Sequence, residues 1–441
     1  MKDRGHENKL IYVASVIMTI AMLFSLSSGN KLLILLAYAL LAIGLFRPEF
    51  LIPTYFVVSL SSNYFVATQG VGINRLIAFI IIFGVIIRIL RQGKVFVTKW
   101  IYGCIFIAMV TLISFLQAYT RSVTSIYTIG LNILIFLAMT NLKLDEAELA
   151  RLFQSVLFAV FITTAFFLVQ YLLNPNILIS GRLTISDNVN VNDFAMMMAQ
   201  LSAYSFAYIY FTEKPAIKKI CFIVGLINTY FVLLSGSRSA LIGITLGVLV
   251  SIIIFLIKQK KNVKNFIFGA GVFVICILVF YFLIESNPVL AYRMDINQVV
   301  ETGGTSRWPR IVAEVKYVIS EHFLFGVGPS SVNETIVLAS YMARPGSSHN
   351  FIISALTQVG IIGFVAYMGF YWKIVKETIL KLNSYRILII PLTLITTAFF
   401  NGIGEVVYST RFFWNTLSLA VICLSTYYNK NALKQRDVSG P

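Results

Sequence analysis

Arg238 opens an apolar run in SGSRSALIG, and its neighbours Gly236, Ser237, Ser239 and Ala240 are small enough to let a ligand reach the backbone. Arg75 and Arg411 open two more such runs. His349, one of only three histidines, stands at the mouth of a fourth in ARPGSSHNFIISALTQVGIIGF. A cation at a helix N-terminus meets the positive end of the dipole and costs roughly 0.3–1 kcal/mol. An anion would turn that repeated cost into attraction, because exposed helix N–H groups and guanidinium forks together bind phosphate-like groups. At His349, Ser347 or Ser348 can cap the helix, and the dipole and nearby arginines favour a neutral imidazole. A neutral histidine beside a phosphate site can take a proton from a hydroxyl nucleophile. It can equally be an interfacial side chain that only hydrogen-bonds the loop, and the residues alone leave both readings open.

Acidic residues outside the apolar runs are scattered, with no DxD motif, no paired-carboxylate signature and no metal spacing such as CxxC or HExxH. That speaks against chemistry built on a divalent metal or on two carboxylates, so no metal and no cofactor is expected. Glu405, in EVVYSTR, falls close to Arg411 and would either orient that guanidinium or bind a hydroxyl.

The elements that must hold these residues are membrane helices. Of 441 residues, 58% are hydrophobic and 12% charged, too little polar surface for a water-soluble chain of this length. Continuous apolar runs of roughly 18 to 22 residues recur, each long enough to cross a bilayer core. The expected fold is therefore all-α and polytopic, with about fourteen transmembrane helices. The runs begin near Leu10, Leu32, Phe50, Ile73, Trp100, Val123, Leu152, Val191, Ile220, Ser239, Phe266, His349, Ile387 and Phe412. The first of them reads as an uncleaved helix rather than a signal peptide. Cys104, Cys221, Cys276 and Cys423 all fall inside apolar runs, as small buried hydrophobes rather than a disulfide framework.

The net charge of +17 follows the positive-inside rule and does not call for nucleic acid. With both termini cytoplasmic, RQGK, TEKPAIKK, KQKKNVK, KIVKETILKLNSYR and NKNALKQR all face inward. The basic residues left outside are mostly arginines: Arg75, Arg121, Arg182, Arg238, Arg293, Arg307, Arg310, Arg344 and Arg411, against Lys31 and Lys316. Arginine binds phosphate with a two-pronged fork, so this bias suggests an anionic ligand outside the membrane; arginines reaching lipid phosphates are the alternative. By this reading, residues 1–284 and 349–428 carry the membrane helices, 285–348 form one large extracytoplasmic loop and 429–441 a cytoplasmic tail. Within the loop, SRWPRIVAEVKYVIS places Trp308, Ile311, Val312, Val315, Val318 and Ile319 on one stripe, with Arg310, Glu314 and Tyr317 off it. That pattern predicts an amphipathic helix, capped by Ser306 and started by Pro309.

Three segments, SGSRSALIG, TSRWPRIVAEVKYVISEHFLFGVGPSS and SSHNFIISALTQVGIIG, occur in this order on a multispan body with a large outer loop. Together they resemble the signature segments of the O-antigen ligase and polymerase superfamily; the last shows a histidine–asparagine pair followed by Gly360 and Gly363 on a hydrophobic helix. The resemblance implies a helical, metal-independent glycosyltransferase of the integral-membrane (GT-C-like) class in the bacterial inner membrane. Such enzymes move a glycan from undecaprenyl pyrophosphate to an acceptor hydroxyl at the outer, periplasmic face. It implies that Arg238 and Arg307 hold the pyrophosphate as it leaves and that His349 activates the acceptor. Arg310, Arg344, Arg411, Asn350, Arg182, Arg75 and Glu405 are expected to contact substrate, and Trp308 and Tyr341 offer aromatic faces to sugars, although burial in the stripe is the other fate of Trp308. Expected partners are the lipid-linked oligosaccharide, membrane lipid and a chain-length regulator, with no nucleic acid. The number of runs favours a polymerase over a ligase that delivers to lipid A core. A lipid-linked oligosaccharide transporter is disfavoured, because the charges sit at helix mouths and not at the midplane.

Overall fold

The computed structural model describes residues 13–23, 31–61, 72–93, 99–142, 144–173, 178–179, 182–183, 190–259, 285, 288, 291–292, 295, 307–341, 346, 349–404 and 409–438. Helices begin at or near each expected start except that near Phe266, which lies outside the described residues, as does most of 285–306. They are α1 (Val13–Leu23), α2 (Lys31–Ile43), α3 (Pro48–Leu60, its first turn 3-10), α4 (Ile73–Gln92), α5 (Trp100–Leu116), α6 (Val123–Thr140) and α7 (Glu146–Leu173). After these come α8 (Val191–Phe211), α9 (Pro215–Leu234) and α10 (Arg238–Lys258). The loop helices are α11 (Arg307–Ala313) and α12 (Ser331–Leu338), and the chain ends with α13 (Phe351–Lys381), α14 (Ile389–Asn401) and α15 (Arg411–Val438). A two-residue antiparallel ladder, β1 (Leu178–Ile179) with β2 (Arg182–Leu183), is the exception to the helical architecture among the described residues.

Six helices, α4, α6, α7, α9, α10 and α13, are long and apolar enough to cross a membrane among the described residues. The shorter apolar helices, such as Val13–Leu23 and Trp100–Leu116, rise only about 17 to 26 Å at 1.5 Å per residue. Among the described residues, several of the expected runs thus supply helices shorter than a bilayer core.

Local chemistry sets the helix ends. Ser122 caps α6 and Asn190 caps α8 through side-chain oxygens. Asp145 and Glu148 form a reciprocal capping box before α7, at 2.7 and 3.1 Å. Between helices, small residues allow backbones to close in. A Cβ at Gly243 would overlap Asn401, Thr396 donates to the Gly247 carbonyl at 2.8 Å, and α14 is almost wholly buried against α10 and α8. Trp414 centres an aromatic cluster with Phe136, Tyr367, Phe370 and Phe413.

Helix α13 is broken at Gly360, whose φ of 65° and ψ of −174° are not helical. The loop segment after α11 enters this break. Ile361 and Ile362 N–H donate to the Phe323 and Leu324 carbonyls at 2.8 and 3.3 Å, while Val327 and Gly328 N–H donate to Thr357 and Gln358 at 2.8 and 3.0 Å. Backbone groups freed by the break are therefore satisfied by protein, as they must be in an apolar setting. A Cβ at Gly360 would overlap the Leu324 carbonyl, so the position requires glycine on both conformation and space.

The expected loop helix forms, but its face is corrected. After Ala313 the chain makes a π-helical turn, Glu314–Ile319. The wider turn rotates later residues off the 3.6-residue stripe. Val318 is buried as expected, but Glu314, expected off the stripe, is buried too, while Trp308 is 64% exposed and Val312 and Val315 also face outward. Ala313 and Val318 join Val327, Val337 and Leu338 in a small cluster apart from the main core.

Candidate active site

A cavity of about 620 Å³ opens where helix N-termini converge. Ser122, Thr124, Ser125 and Thr128 come from the first turns of α6, and Asp193 and Met196 from α8. Ser330, Ser331 and Thr335 come from α12, Arg411 from α15, and His349 stands two residues before α13. Ser59, at the end of α3, and Gln358 also line the wall. The lining is thus rich in hydroxyls, with the positive ends of several helix dipoles aimed into one space, an arrangement suited to an anion that carries hydroxyl-bearing groups.

His349 sits at this mouth in the left-handed region, with φ of 53°, an uncommon conformation for a residue with a side chain. Asn350 locks the next turn. Its Oδ1 accepts from Ile352 and Ile353 N–H at 3.0 and 3.2 Å, and its Nδ2 donates to the Ile403 carbonyl at 3.1 Å. Phe351 N–H donates to Gly402 at 2.9 Å, so the end of α14 also holds the start of α13. Asn350 therefore positions His349 from behind and does not line the cavity. Glu334 is fully buried and accepts from Gln358 Nε2 at 2.6 Å and Thr357 Oγ1 at 3.3 Å, tying α12 to the segment just before the Gly360 break. Asn333 exchanges two hydrogen bonds with the Thr120 backbone, at 2.8 and 3.1 Å, which ties α12 to the turn before α6.

Arg411 is half-buried at the cavity wall, within electrostatic reach of Arg75, Tyr55 and Tyr127. Arg75 lies over the Tyr127 ring at 5.3 Å, behind the lining rather than on it. Among the described residues no carboxylate pairs with either guanidinium.

The other sequence candidates lie apart from this lining or outside the described residues. Arg238 is half-buried at the first position of α10, beside the Ser237 and Ser239 hydroxyls, which are 3.3 Å apart. It belongs to the same end of the bundle, because α10 packs on Asn401 at the end of α14. Arg307 opens α11 and Arg182 lies in β2, but their side chains are outside the described residues, as are Arg344 and Glu405 entirely. The Arg310 guanidinium rests against Gly346, just before His349. Tyr341 stacks on Tyr317 with ring centroids 4.0 Å apart, which occupies one face, and donates to Glu321 at 3.3 Å. The Glu321 carboxylate holds this phenol above its usual range.

Asp193 and the ring of hydroxyls were not singled out from the sequence. The signal was present, since TRSVTSIYT, SVNET and YSTR put serine and threonine at one helix start after another. Among the described residues no group of His, Cys, Asp and Glu could hold a metal ion.

A comparison with curated proteins finds no match for the chain. Residues 223–368, about a third of the chain, run from α9 to the middle of α13 and include Arg238 and His349. That segment matches the family model described as O-antigen ligase, a match that supports the resemblance to the O-antigen ligase and polymerase superfamily.

Proposed function

We propose that the protein is a membrane glycan polymerase. In this reading it transfers a glycan from undecaprenyl pyrophosphate to the hydroxyl of an acceptor sugar at the outer face of the inner membrane. The observation that carries it is the hydroxyl-lined cavity in which His349 and Arg411 meet several helix N-termini. His349 takes the proton of the acceptor hydroxyl as its oxygen bonds to the anomeric carbon. The bond from that carbon to the phosphate oxygen breaks, and the electron pair leaves with undecaprenyl pyrophosphate. Arg411, with Arg75 behind it, offsets the charge developing there, and an anion bound at Arg411 offsets the repulsion between the two guanidinia. Arg238 and Arg307 lie within the family-matched segment and hold the rest of the pyrophosphate, with Arg310 and Arg344 on the approach from the loop. A leaving group already activated as pyrophosphate needs neither a covalent intermediate nor a nucleotide.

A ligase that delivers the glycan to a lipid A core is the second reading, favoured by the description of the matched family. One assay separates the two. Purified protein is given a synthetic undecaprenyl-pyrophosphate-linked repeat unit as the sole substrate. A ladder of products supports the polymerase. Transfer that starts only when lipid A core is added supports the ligase, and failure with both acceptors by folded protein overturns the enzyme reading.

A further inference from the structure

A second charged cavity, of about 350 Å³, lies at the opposite end of the bundle. Arg75 opens α4 beside the site cavity, while Arg88 and Arg91 sit in its last turns, some 20 to 24 Å away at 1.5 Å per residue. There the last turns of α4 meet the turn between α2 and α3 and the start of α7. Backbone contact builds the corner, since a Cβ at Gly84 would overlap the Gly44 carbonyl.

Arg47, Arg88 and Arg91 all face this space. Glu49, only 5% exposed, binds Arg88 at 2.6 Å and approaches Arg47 at 3.6 Å. Glu148, the other carboxylate on the wall, is already engaged in the capping box with Asp145. Arg91 has no carboxylate partner among the described residues; its guanidinium rests over the Phe46 ring at 5.3 Å. Three guanidinia against two wall carboxylates, Glu49 and Glu148, leave a net positive charge beside a rim of exposed Phe46.

The surface next to the cavity says what kind of anion it fits. Phe79, Phe83, Ile86 and Leu90 recur at helical spacing along one face of α4, and all are exposed. Arg91 stands about a quarter turn round the helix from Leu90. A free phosphate has no use for that stripe, whereas a lipid whose phosphate enters the cavity would lay its acyl chains along it. We propose that this cavity binds the phosphate of an anionic phospholipid, with Arg47 and Arg91 as the ligand-facing cations and Arg88 as their support on Glu49. Basic pockets between membrane helices take lipid headgroups on the same physical ground.

The test uses full-length protein in neutral detergent and native mass spectrometry of retained lipid. The probes are phosphatidylglycerol and phosphatidylcholine with identical chains, with inorganic phosphate as competitor. Expected are preferential retention of phosphatidylglycerol, weakening with salt, and about fivefold loss of affinity for each of Arg47→Gln and Arg91→Gln. Arg91→Lys should recover part of the loss. Arg88 is left intact because its removal strands buried Glu49. If the glutamine variants do not fold, the salt dependence and the lysine variant still decide. Equal retention of the two lipids, or binding unchanged in Arg47→Gln/Arg91→Gln, overturns the proposal. Displacement by millimolar inorganic phosphate overturns it in favour of a free-phosphate site.

Discussion

At the residue scale the account rests on His349 and its neighbour. Asn350 satisfies two N–H groups at the start of α13 and one carbonyl after α14. Asn350→Ala should cost about 1–2 kcal/mol of stability, with transfer falling further as His349 loses its seat, whereas Asn350→Asp keeps the cap and most of the stability. Thermal melting in detergent alongside the transfer assay checks both. Arg411→Gln should lower the transfer rate by about 10²–10³ with little change in melting, because it removes charge stabilisation from the cavity; retention of most of the rate would count against its role. His349 and Arg411 were legible in the sequence because a charged or titratable residue at the start of an apolar run is conspicuous. The hydroxyl lining was not, since serine and threonine at helix starts read first as caps, and only packing shows them facing one another. The placement of Arg238 away from the cavity lining was equally hidden, because distance between helix mouths is a tertiary fact.

At the element scale the broken helix α13 couples the family-matched loop to the site. Gly360→Ala should destabilise the protein by about 1–3 kcal/mol, from strain and from contact with the Leu324 carbonyl. Gly326, at φ of 70°, faces Gln358 across the same contact, so Gly326→Ala should act similarly and the double variant should be clearly less than additive. Additive losses would show that the two glycines serve separate structures. The apolar pattern runs through Gly360 without a change of period, so the sequence points to one continuous helix, and the break depends on loop residues more than thirty positions upstream. The rotated face of the helix after Ala313 was hidden for a related reason. A π-helical turn adds nothing visible to the residue pattern, yet it begins at Glu314, which is buried.

At the scale of the whole molecule, helical class was legible because continuous apolar runs leave no alternative, and the runs located the helices. How many of them span the membrane was less so, because several of the helices described are shorter than a bilayer core. The orientation expected from the charge asymmetry is directly testable. Cys104, Cys221 and Cys423 are buried, and with Cys276, outside the described residues, changed to serine, background labelling should be low. A membrane-impermeant thiol reagent on intact cells should label Ser320→Cys, in the loop after α11, and should reach Gln92→Cys, at the end of α4, only after permeabilisation. The reverse pattern would place the His349 cavity on the cytoplasmic side and remove its access to an exported donor.

The most direct test of the account is the transfer rate of His349→Gly set beside its melting temperature. Glycine accepts the left-handed backbone at this position without strain, so the variant should fold as well as the parent or better. The account predicts that its transfer rate falls by about 10²–10⁴, the usual contribution of a general base, with melting undiminished. A variant that melts like the parent and still transfers glycan at a comparable rate would contradict the assignment of His349 as the base and reduce it to a loop-anchoring residue.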